Sequence, residues 1–418
     1  MVMRFCLLIF ICIARSAFAL DAEAVFNEPG FHGQPSYTIE NKLVSLIDQA
    51  APDSEIHMSM YQMTRTPVIK ALIRASHRGV DVHMVFDGSN YFDNLKPGNG
   101  VDLLVNGSEE TGRLICKTKP CVRFCSGPLH VKIKGQTFGG SCNGLVINHN
   151  KFLLFSKLMD GSENVVAQSS SNLEDEQMHD YQDLVIIRGD RGLYEGYLDY
   201  WQQQNRDKTH YLDTHKDAVG DGSVVAKFFP RVIARDPVMQ LLRRVSCEPA
   251  GSMIRVAEAD INRLNVAARL RDLAKAGCDV KVITRIDPEM FSPTVGVVKR
   301  LGSNILILPF QGKTALDRAV NTIHTKLILI DAAIDGSTER RQMVVTGSHN
   351  LDFFSLHTND ETLLEIEDTP LYSTYLAFWN RINSEARASG MRLLTGKDRH
   401  PKPAPSSENE LTSGNVLP

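Results

Sequence analysis

Residues 324–331 read HTKLILID, and residues 347–350 read GSHN. A matching pair lies earlier in the chain, where residues 149–156 read HNKFLLFS and residues 169–172 read SSSN. Each pair brings a histidine, a lysine, a hydroxyl and an amide to the ends of apolar segments that are typical of adjacent strands. Two such copies can face each other and form one phosphate-binding pocket with two histidines. This constellation suits phosphodiester chemistry that needs no metal.

The later copy supplies five candidate site residues. Side chains alternate along a strand, so His324 and Lys326 point to the same face and can reach one phosphate. Lys326 would neutralise phosphate oxygens, whereas His324 would attack phosphorus or protonate the leaving oxygen. Ser348 and Asn350 are also two residues apart and can donate hydrogen bonds to that phosphate. Glu361 opens the next strand, and we expect it to hold the ring of His324 by its second nitrogen.

The earlier copy supplies a matching set of five residues. Asp183 follows Asn172 by the same 11 residues that separate Asn350 from Glu361 (183 − 172 and 361 − 350), so Asp183 is the expected counterpart of Glu361. Either part of the motif alone is usually a solvated strand face or a turn. Because both parts occur twice in the same order, the sequence favours a functional site. The candidates in this copy are His149, Lys151, Ser170, Asn172 and Asp183.

The chain has the pattern of an internal duplication. Each half contains a strand, a helix and a second strand, and the helices end at Gly79 and Gly277, which are 198 residues apart (277 − 79). The histidine motifs are only 175 residues apart (324 − 149), so the first half carries about 23 extra residues (198 − 175). We place this surplus within residues 91–144, as a loop insertion near the mouth of the site. Repeated strand–helix–strand units predict parallel pairing and an α/β fold.

The sequence predicts five segments. Residues 1–19 are typical of a cleavable signal peptide, because Arg4 precedes a short apolar run and Ala17-Phe18-Ala19 offers small residues at the cleavage site. A membrane anchor is the alternative, but the run is short for a bilayer span. We therefore expect a secreted or periplasmic protein. The other segments are a first half-domain (20–206), a polar linker (207–223), a second half-domain (224–395) and a disordered tail (396–418).

The cysteines predict disulfides. Cys6 and Cys12 lie in the signal peptide, so six of the eight cysteines remain (8 − 2), an even number in an exported chain. Four of the six lie in residues 91–144, and Cys247 and Cys278 are candidates to pair with each other. A zinc site is the alternative, but no pair in the insertion has C-x-x-C spacing. The formal net charge of −3 gives no sign of a broadly basic nucleic-acid binder, although it leaves room for a local basic cleft.

The later copy resembles the HKD motif of the phospholipase D superfamily through His324, Lys326, Asp331 and the Gly-Ser-x-Asn stretch at 347–350. The resemblance extends over nearly all of the chain after the signal peptide and is to the members that carry two motifs. It implies two similar α/β half-domains that form a pseudo-dimer, with the active site in the cleft between them. We expect a monomer that uses neither a metal nor another cofactor.

The resemblance also implies a two-step mechanism. One histidine attacks phosphorus and forms a covalent phosphohistidine, and the other protonates the leaving alcohol and then activates water or an acceptor alcohol. By analogy with the family, His149 is the nucleophile and His324 is the acid. The earlier copy departs from the motif at Ser156, where aspartate is expected, and at Ser169, where glycine is expected. The motif aspartate, Asp331 in the later copy, is expected to support the structure, so we expect an active enzyme in spite of Ser156.

Three functions fit this superfamily. The first is a secreted phospholipase D that acts on phospholipids at a membrane surface, with residues 91–144 and Phe353-Phe354 as candidate apolar rim; core packing is the alternative for that pair. The second is an exported endonuclease that holds DNA or RNA along a basic track. The third is a non-catalytic binder, suggested only by Ser156. We favour the phospholipase. The candidate basic track consists of Arg113, Lys117, Lys119, Arg123, Lys132 and Lys134.

Overall fold

The computed structural model describes residues 20–29, 34–89, 100–108, 110–127, 131–133, 136–207, 215–233, 235–286, 297, 300–301, 306–311 and 322–388. The predicted signal peptide and tail lie outside these residues, as do parts of the predicted insertion and linker. Within the described ranges, no helix is both long and apolar enough to cross a membrane. The segment boundaries given above stay predictions.

The first half is a mixed sheet with helices packed against it. The sheet order is β1-β9-β8-β7-β2-β3-β4, and β5 and β6 form a separate hairpin. The helices are α1 (Thr38–Asp48), α2 (Thr66–His77), α3 (Gly100–Val105) and α4 (Arg191–Arg206). The strands are β1 (Asp21–Asn27), β2 (Glu55–Met60), β3 (Asp81–Phe86), β4 (Val122–Phe124), β5 (Val131–Ile133), β6 (Gln136–Phe138), β7 (Lys151–Lys157), β8 (Glu163–Ser169) and β9 (Asp180–Arg188).

The second half repeats this plan. Its strands are β10 (Ala218–Val219), β11 (Val224–Phe228), β12 (Val245–Ser246), β13 (Met253–Glu258), β14 (Asp279–Ile286), β15 (Leu306–Gln311), β16 (Thr322–Ile323), β17 (Lys326–Ile334), β18 (Arg340–Gly347) and β19 (Thr362–Glu367). The sheet order is β10-β11-β19-β18-β17-β13-β14-β15, and β12 pairs with β17. Strand β10 lies in the predicted linker, which therefore contributes to this sheet. The helices are α5 (Pro237–Arg244), α6 (Leu264–Lys275), α7 (Phe353–His357) and α8 (Thr369–Ala388).

The α/β prediction is confirmed, with one refinement of the strand directions. The pairs β2–β3 and β13–β14 are parallel, as the strand–helix–strand pattern predicts. The motif strands β7 and β17, however, run antiparallel to β2 and β13. Each motif strand continues through a short turn into its neighbour, and a turn that short allows only antiparallel pairing. The register aligns Lys151 with Met60 and Lys326 with Glu258, which places both lysines at the carboxyl ends of β2 and β13.

One cluster of buried hydrophobic residues contains side chains from both halves. Helices α4 and α8 contribute most of its aromatic side chains, including Tyr197, Tyr375 and Phe378. The indole of Trp201 in α4 donates a hydrogen bond to the carbonyl of Met58 (2.9 Å), and Trp379 in α8 does the same to Val256 (3.0 Å). Strand β16 of the second half pairs in parallel with β9 of the first. The halves therefore form a pseudo-dimer with a fixed interface.

Three disulfides join the six cysteines. Cys116 pairs with Cys121, and Cys125 with Cys142, within the predicted insertion. Cys247 pairs with Cys278, as the sequence suggests. The prediction of disulfides in place of a zinc site is thus confirmed by the structure. The insertion also contains β4, which extends the first sheet beside β3, so part of it belongs to the sheet and is not a loop.

Replacing both Cys247 and Cys278 by serine is expected to lower the free energy of unfolding by about 2–4 kcal/mol. The bond closes a loop with a sequence separation of 31 residues, and its loss gives the unfolded chain more conformational freedom. Chemical denaturation followed by circular dichroism measures the change. The matched control is the pair Cys116→Ser and Cys121→Ser, whose separation is only 5 residues and whose loss is expected to cost less. An equal or larger cost for the control would contradict this account.

Candidate active site

Each histidine motif is bonded to the opposite half through its backbone. The amide of His149 donates to the carbonyl of Asp360 (2.9 Å), and Asn148 forms a bridge with the same residue. The amide of His324 donates to the carbonyl of Tyr181 (3.0 Å). Because these contacts cross the interface in both directions, the two histidine motifs meet between the halves.

Glu361 holds the histidine of the other half, and not that of its own. Nδ1 of His149 lies 2.9 Å and 3.0 Å from the two carboxylate oxygens of Glu361. The predicted contact of Glu361 with His324 is therefore wrong, because Glu361, just before β19, presents its carboxylate to the other half. An Nδ1–H that donates to a carboxylate leaves the lone pair on Nε2 of His149, which is the tautomer that a nucleophile needs.

Asp183 does not provide the symmetrical contact. Its carboxylate accepts hydrogen bonds from Thr325 Oγ1 (2.6 Å), from Tyr375 Oη (3.0 Å) and from Thr346 Oγ1. Nδ1 of His324 instead lies 3.1 Å from the carbonyl oxygen of Ser170. The expectation that Asp183 is the counterpart of Glu361 and holds the histidine of its own copy, His149, is thus wrong, because Glu361 holds that histidine and three hydroxyls occupy the carboxylate of Asp183.

The two motif lysines lie close enough to repel each other. Nζ of Lys151 donates to the carbonyl of His149, and Nζ of Lys326 donates to that of His324. Burial above all, and also the charge of Lys326, hold the pKa of Lys151 well below its usual range, although Glu361 acts in the opposite direction. An anion bound between the two lysines would favour the ammonium form of Lys151, and a phosphate would supply that charge.

Burial is the largest influence on the pKa of both His149 and Glu361. Burial lowers the pKa of His149 well below 6.5, and the charges of Lys151 and Lys326 lower this pKa further. The imidazole is therefore neutral near pH 7. Burial raises the pKa of Glu361 to about 7, although both lysines lower it. The carboxylate needed to orient His149 is thus lost as the pH falls through about 7.

Phosphodiester cleavage is accordingly expected to slow as the pH is lowered below about 7 and to level off above it. Protonation of Glu361 removes the negative charge that accepts the Nδ1–H of His149, so the nucleophile loses its orientation. A profile of kcat/KM against pH for a soluble diester measures this. A rate that stays constant from pH 5 to 8 would show that the charge of Glu361 is not needed.

The serines and asparagines of the two motifs occupy equivalent places. Ser170 Oγ accepts from the amide of Asp183, and Ser348 Oγ accepts from the amide of Thr362, each at 3.0 Å. These bonds fix the loops that follow β8 and β18. Among the described residues, Oδ1 of Asn172 and Oδ1 of Asn350 are buried without a hydrogen-bond partner. Their role as phosphate donors stays a prediction.

Ser156 and Ser169, where the first half departs from the motif, do not alter the contacts of the motif histidine and lysine. Asp331 sits near the far end of β17 from Lys326 and accepts a hydrogen bond from Gln342 (3.1 Å). Ser156 occupies the equivalent place in β7, where its hydroxyl accepts from the amide of Glu55 (2.8 Å). Both side chains therefore support the sheet, as the resemblance implies for the aspartate. Glycine is required only in the second half, where a side chain at Gly347 would collide with a carbonyl oxygen at 2.2 Å.

Sequence reasoning missed Tyr61. Its ring centroid lies 5.3 Å from that of His149 and 5.3 Å from Nζ of Lys151. This ring covers the first-half motif and forms a cation–π contact with the lysine. Tyr61 belongs to no sequence motif, so the sequence alone does not mark it as a site residue. Its position becomes informative only once β2 and β7 are known to be neighbours.

Two similar half-domains, each with a histidine and a lysine turned toward the shared interface, define a duplicated α/β enzyme for phosphate esters. A family model described as "Cardiolipin synthase, PLD-like domain" matches residues 43–204 and 248–382. The chain therefore belongs to the phospholipase D superfamily and has two phospholipase D-like domains. It is an enzyme of the phosphodiesterase or phosphatidyltransferase type. Among curated proteins, none matches the chain in sequence.

Solved structures share the fold. Phosphatidylserine synthase of Haemophilus influenzae Rd KW20 superposes with a TM-score of 0.57 at 14% identity, over 90% of this chain and 88% of that one. Polyphosphate kinase from Porphyromonas gingivalis gives a TM-score of 0.51 at 13% identity, over 86% of this chain. The chain covers only 50% of that kinase. At these identities the similarity concerns the fold alone.

Proposed function

We propose that this protein is a phospholipase D that cleaves phospholipid head groups through a phosphohistidine on His149. The observation that carries the proposal is the contact between His149 and Glu361 across the two halves, beside two mutually repelling lysines. This arrangement gives a neutral imidazole whose lone pair is on Nε2, next to a place suited to phosphate. No metal takes part in the proposed reaction.

The reaction proceeds in two displacements at phosphorus. In the first, Nε2 of His149 forms a bond to phosphorus while the bond to the head-group oxygen breaks, and His324 gives its proton to that oxygen. In the second, His324 takes a proton from water, the water oxygen bonds to phosphorus, and the bond to His149 breaks. Lys151 and Lys326 neutralise the oxygens that gain charge. An acceptor alcohol in place of water would give head-group transfer.

An apolar rim beside the site supports a lipid substrate. Phe353 and Phe354 in α7 are 56% and 45% exposed, so they are not core residues. Ser355 in the same helix donates to Glu361 (2.8 Å), which joins the rim to the site. The amide of Phe353 donates to Asn262 (3.1 Å), next to Leu264, which is also exposed. We define the apolar rim as Leu264, Phe353 and Phe354.

The apolar pair Phe353 and Phe354 has no apolar counterpart in the first half. The positions equivalent to Phe353 and Phe354, 178 residues earlier as Asn172 is to Asn350, are Asp175 and Glu176, and both are exposed. The same fold therefore accepts polar residues at these places. Exposed aromatic residues at these two positions occur on the second half only, and adjacent exposed aromatic residues are typical of a surface that contacts a membrane interface.

The candidate basic track gives less support to a nuclease. Nζ of Lys117 lies 3.7 Å from a carboxylate oxygen of Asp53, a residue that precedes β2. The site lies at the opposite, carboxyl end of β2, and a strand of this length spans about 17–20 Å. Arg123 is bonded to Asn205 in α4 (3.1 Å). Side chains of Lys132 and Lys134 lie outside the described residues. Lys117 therefore lies at the end of the sheet away from the site, and the guanidinium of Arg123 is already bonded within the protein.

We also propose that the protein works outside the cytoplasm. Three disulfides support this location, because such bonds persist in oxidising compartments. The predicted cleavage after Ala19 would accompany export. Amino-terminal sequencing of the protein recovered from culture medium or periplasm tests this, and an intact residue 1 in the recovered protein would contradict it.

The experiment that tests the function compares two substrates with EDTA present. Purified protein is incubated with phospholipid vesicles and with plasmid DNA, and head-group release and strand cleavage are measured. We expect release of the head group and intact DNA. Cleavage of DNA alone would establish the endonuclease. Absence of both activities, with vesicle binding retained, would indicate a non-catalytic binder.

Substitutions in the apolar rim are expected to weaken membrane binding without slowing the chemical step. The double variant Phe353→Ser and Phe354→Ser is expected to bind vesicles about tenfold more weakly or worse. Full burial of one phenylalanine side chain contributes about 1.5–3 kcal/mol, so partial burial of two contributes about 1.5 kcal/mol or more, which corresponds to about tenfold in affinity. Cleavage of a soluble diester should change little by comparison. Vesicle flotation and the two rates measure this. The control is Met159→Ser, an exposed apolar residue in the turn between β7 and β8. Equal weakening by the control would contradict a role for the rim.

A further inference from the structure

The part of the first half that leads to the catalytic histidine runs beside a short strip of the second half. We define the nucleophile segment as residues 142–149, whose last residue is that histidine. Within it, the amide of Leu145 donates to the carbonyl of Thr358 (2.7 Å). The carbonyl of Ile147 accepts from the amide of Asp360 (2.9 Å). The backbone of the nucleophile segment is thus bonded to the second half at several points.

The side chain of Asp360 holds the start of the nucleophile segment. Its Oδ2 accepts from the amide of Cys142 (2.7 Å), its Oδ1 accepts from the amide of Gly144 (2.7 Å), and both oxygens lie 3.2 Å from the amide nitrogen of Asn143. Asp360 is 0% exposed, so water does not compete for these bonds. Hydrogen bonds to an ionised carboxylate are roughly twice as strong as those between neutral groups. One carboxylate of the second half therefore fixes a complete turn of the first.

The turn at residues 142–144 is also held by contacts on its other sides. A Cβ at Gly144 would lie 2.3 Å from the carbonyl oxygen of Thr358, so glycine is what lets the turn approach the second half this closely. Cys142 is joined by its disulfide to Cys125, which directly follows β4. The turn is therefore fixed between the edge of the first sheet and the second half.

A second buried carboxylate holds the other end of the nucleophile segment. Asp87 directly follows β3, and its Oδ2 accepts from the amide of Asn148 (2.7 Å), the residue before the catalytic histidine. Asp87 is 0% exposed, like Asp360. Because Asp87 belongs to the first half and Asp360 to the second, the nucleophile segment is fixed relative to both halves.

A carboxylate is not required at this place by the fold. The position equivalent to Asp360, 178 residues earlier as Asn172 is to Asn350, is Gln182. Its Nε2 donates to the carbonyl of Gln177 (2.7 Å), which belongs to the same half. The equivalent position thus accepts a neutral side chain that bonds locally. The reach of Asp360 into the other half therefore serves something other than the shared architecture.

We propose that Asp360 is a positioning residue, which sets the place of His149 relative to the half that carries His324. The inference rests on the proposed function and adds to it a residue that neither motif contains. Glu361 fixes the ring of His149, and its neighbour Asp360 fixes the backbone that leads to it. Each displacement needs the attacking and leaving groups on opposite sides of phosphorus, so a shift of one histidine against the other slows both steps.

Asparagine is the substitution that separates these contacts from packing. Burial raises the pKa of Asp360 to about 7, whereas the backbone amides of the turn lower it, so the carboxylate is mostly ionised at pH 8. Asparagine has nearly the same volume but only one acceptor oxygen, and its NH₂ group would face a backbone N–H. Asp360→Asn therefore loosens the turn and leaves the surrounding side chains in place.

The test measures kcat and KM for a soluble diester at pH 8. We expect Asp360→Asn to lower kcat about tenfold or more and to change KM less than about twofold, because misplacing a reacting group by about 1 Å costs up to about a hundredfold in rate. The control is Asp190→Asn. Asp190 is also buried and also accepts from two backbone amides, those of Leu193 (2.9 Å) and Asp221 (3.0 Å), but it follows the end of β9 that is remote from the site. Its kcat should stay within twofold, and thermal melting compares the stability of the two variants.

A second variant keeps the test decisive if Asp360→Asn does not fold. Gly144→Ala pushes the same turn away from the second half and removes no carboxylate, and we expect kcat to fall with little change in KM. A folded Asp360→Asn or Gly144→Ala protein with unaltered kcat would overturn the inference and leave the proposed function in place. An equal fall of kcat in Asp190→Asn would assign Asp360 a merely structural role and overturn it as well. No cleavage of any diester by the unaltered protein would overturn the proposed function and the inference together.

Discussion

Replacing His149 by alanine is expected to lower phosphodiesterase activity by about a thousandfold or more. The substitution removes the atom that is proposed to bond to phosphorus, and no other described side chain offers an Nε2 held in that tautomer by a carboxylate. The covalent route through phosphohistidine is lost, and the acid–base role of His324 cannot replace it because no intermediate forms on which that residue could act. The rate of head-group release at saturating substrate measures the loss.

Two controls keep the result interpretable. His149→Gln fills more of the space of the ring, so it separates loss of chemistry from loss of packing, and its activity should be as low as that of alanine. His77→Ala removes an exposed histidine from α2 and should leave the rate within twofold. Thermal melting of each variant shows whether the fold is intact. A folded His149→Gln protein with near-normal activity would refute the proposed nucleophile.

Replacing Glu361 by glutamine is expected to lower kcat by about a hundredfold. The glutamine keeps the shape but has no negative charge, so it neither fixes the tautomer of His149 nor stabilises the imidazole as it reacts. Substrate binding should change much less, because Glu361 would contact the histidine and not the lipid. Steady-state kinetics that separate kcat from KM measure this difference.

Glu365→Gln provides the matched control. Glu365 lies in β19, which begins directly after Glu361, and it is also buried. Burial raises its pKa as well, but its charged neighbours are Lys227, Arg244 and Asp217, and no motif residue is among them. We expect the kcat of this variant to stay close to that of the unaltered protein. Equal losses in the two variants would mean that Glu361 acts through the stability of β19 and not through His149.

Local patterns were enough to predict the architecture. The spacing of Gly79 and Gly277 revealed the duplication, because glycine ends a helix in each half at the same offset. Helix α2 spans Thr66–His77 and so ends close to Gly79, where its end was expected. The antiparallel motif strands were not predicted, because hydrophobic periodicity shows that a segment is a buried strand but not which neighbour it joins.

The site was predicted as a set of residues, but not as a set of contacts. Spacing made Glu361 a partner for a histidine, yet the partner is His149, 212 residues away in sequence. Asp183 shares that spacing, but Thr325, Thr346 and Tyr375 surround its carboxylate. Contacts across the interface depend on how the two halves pack, whereas a sequence motif contains information only about residues that are close in sequence.

The central claim is that His149 carries the phosphoryl group between the two steps, and trapping of the covalent intermediate tests it most directly. The His324→Ala variant, which lacks the group that activates water, is mixed with a short-chain phospholipid bearing a good leaving group and quenched in base. Peptide mass spectrometry then locates the adduct. We predict a phosphatidyl group, or its phosphate remnant, on His149. An adduct on His324 in the unaltered protein, or turnover with no adduct on either histidine, would contradict the account.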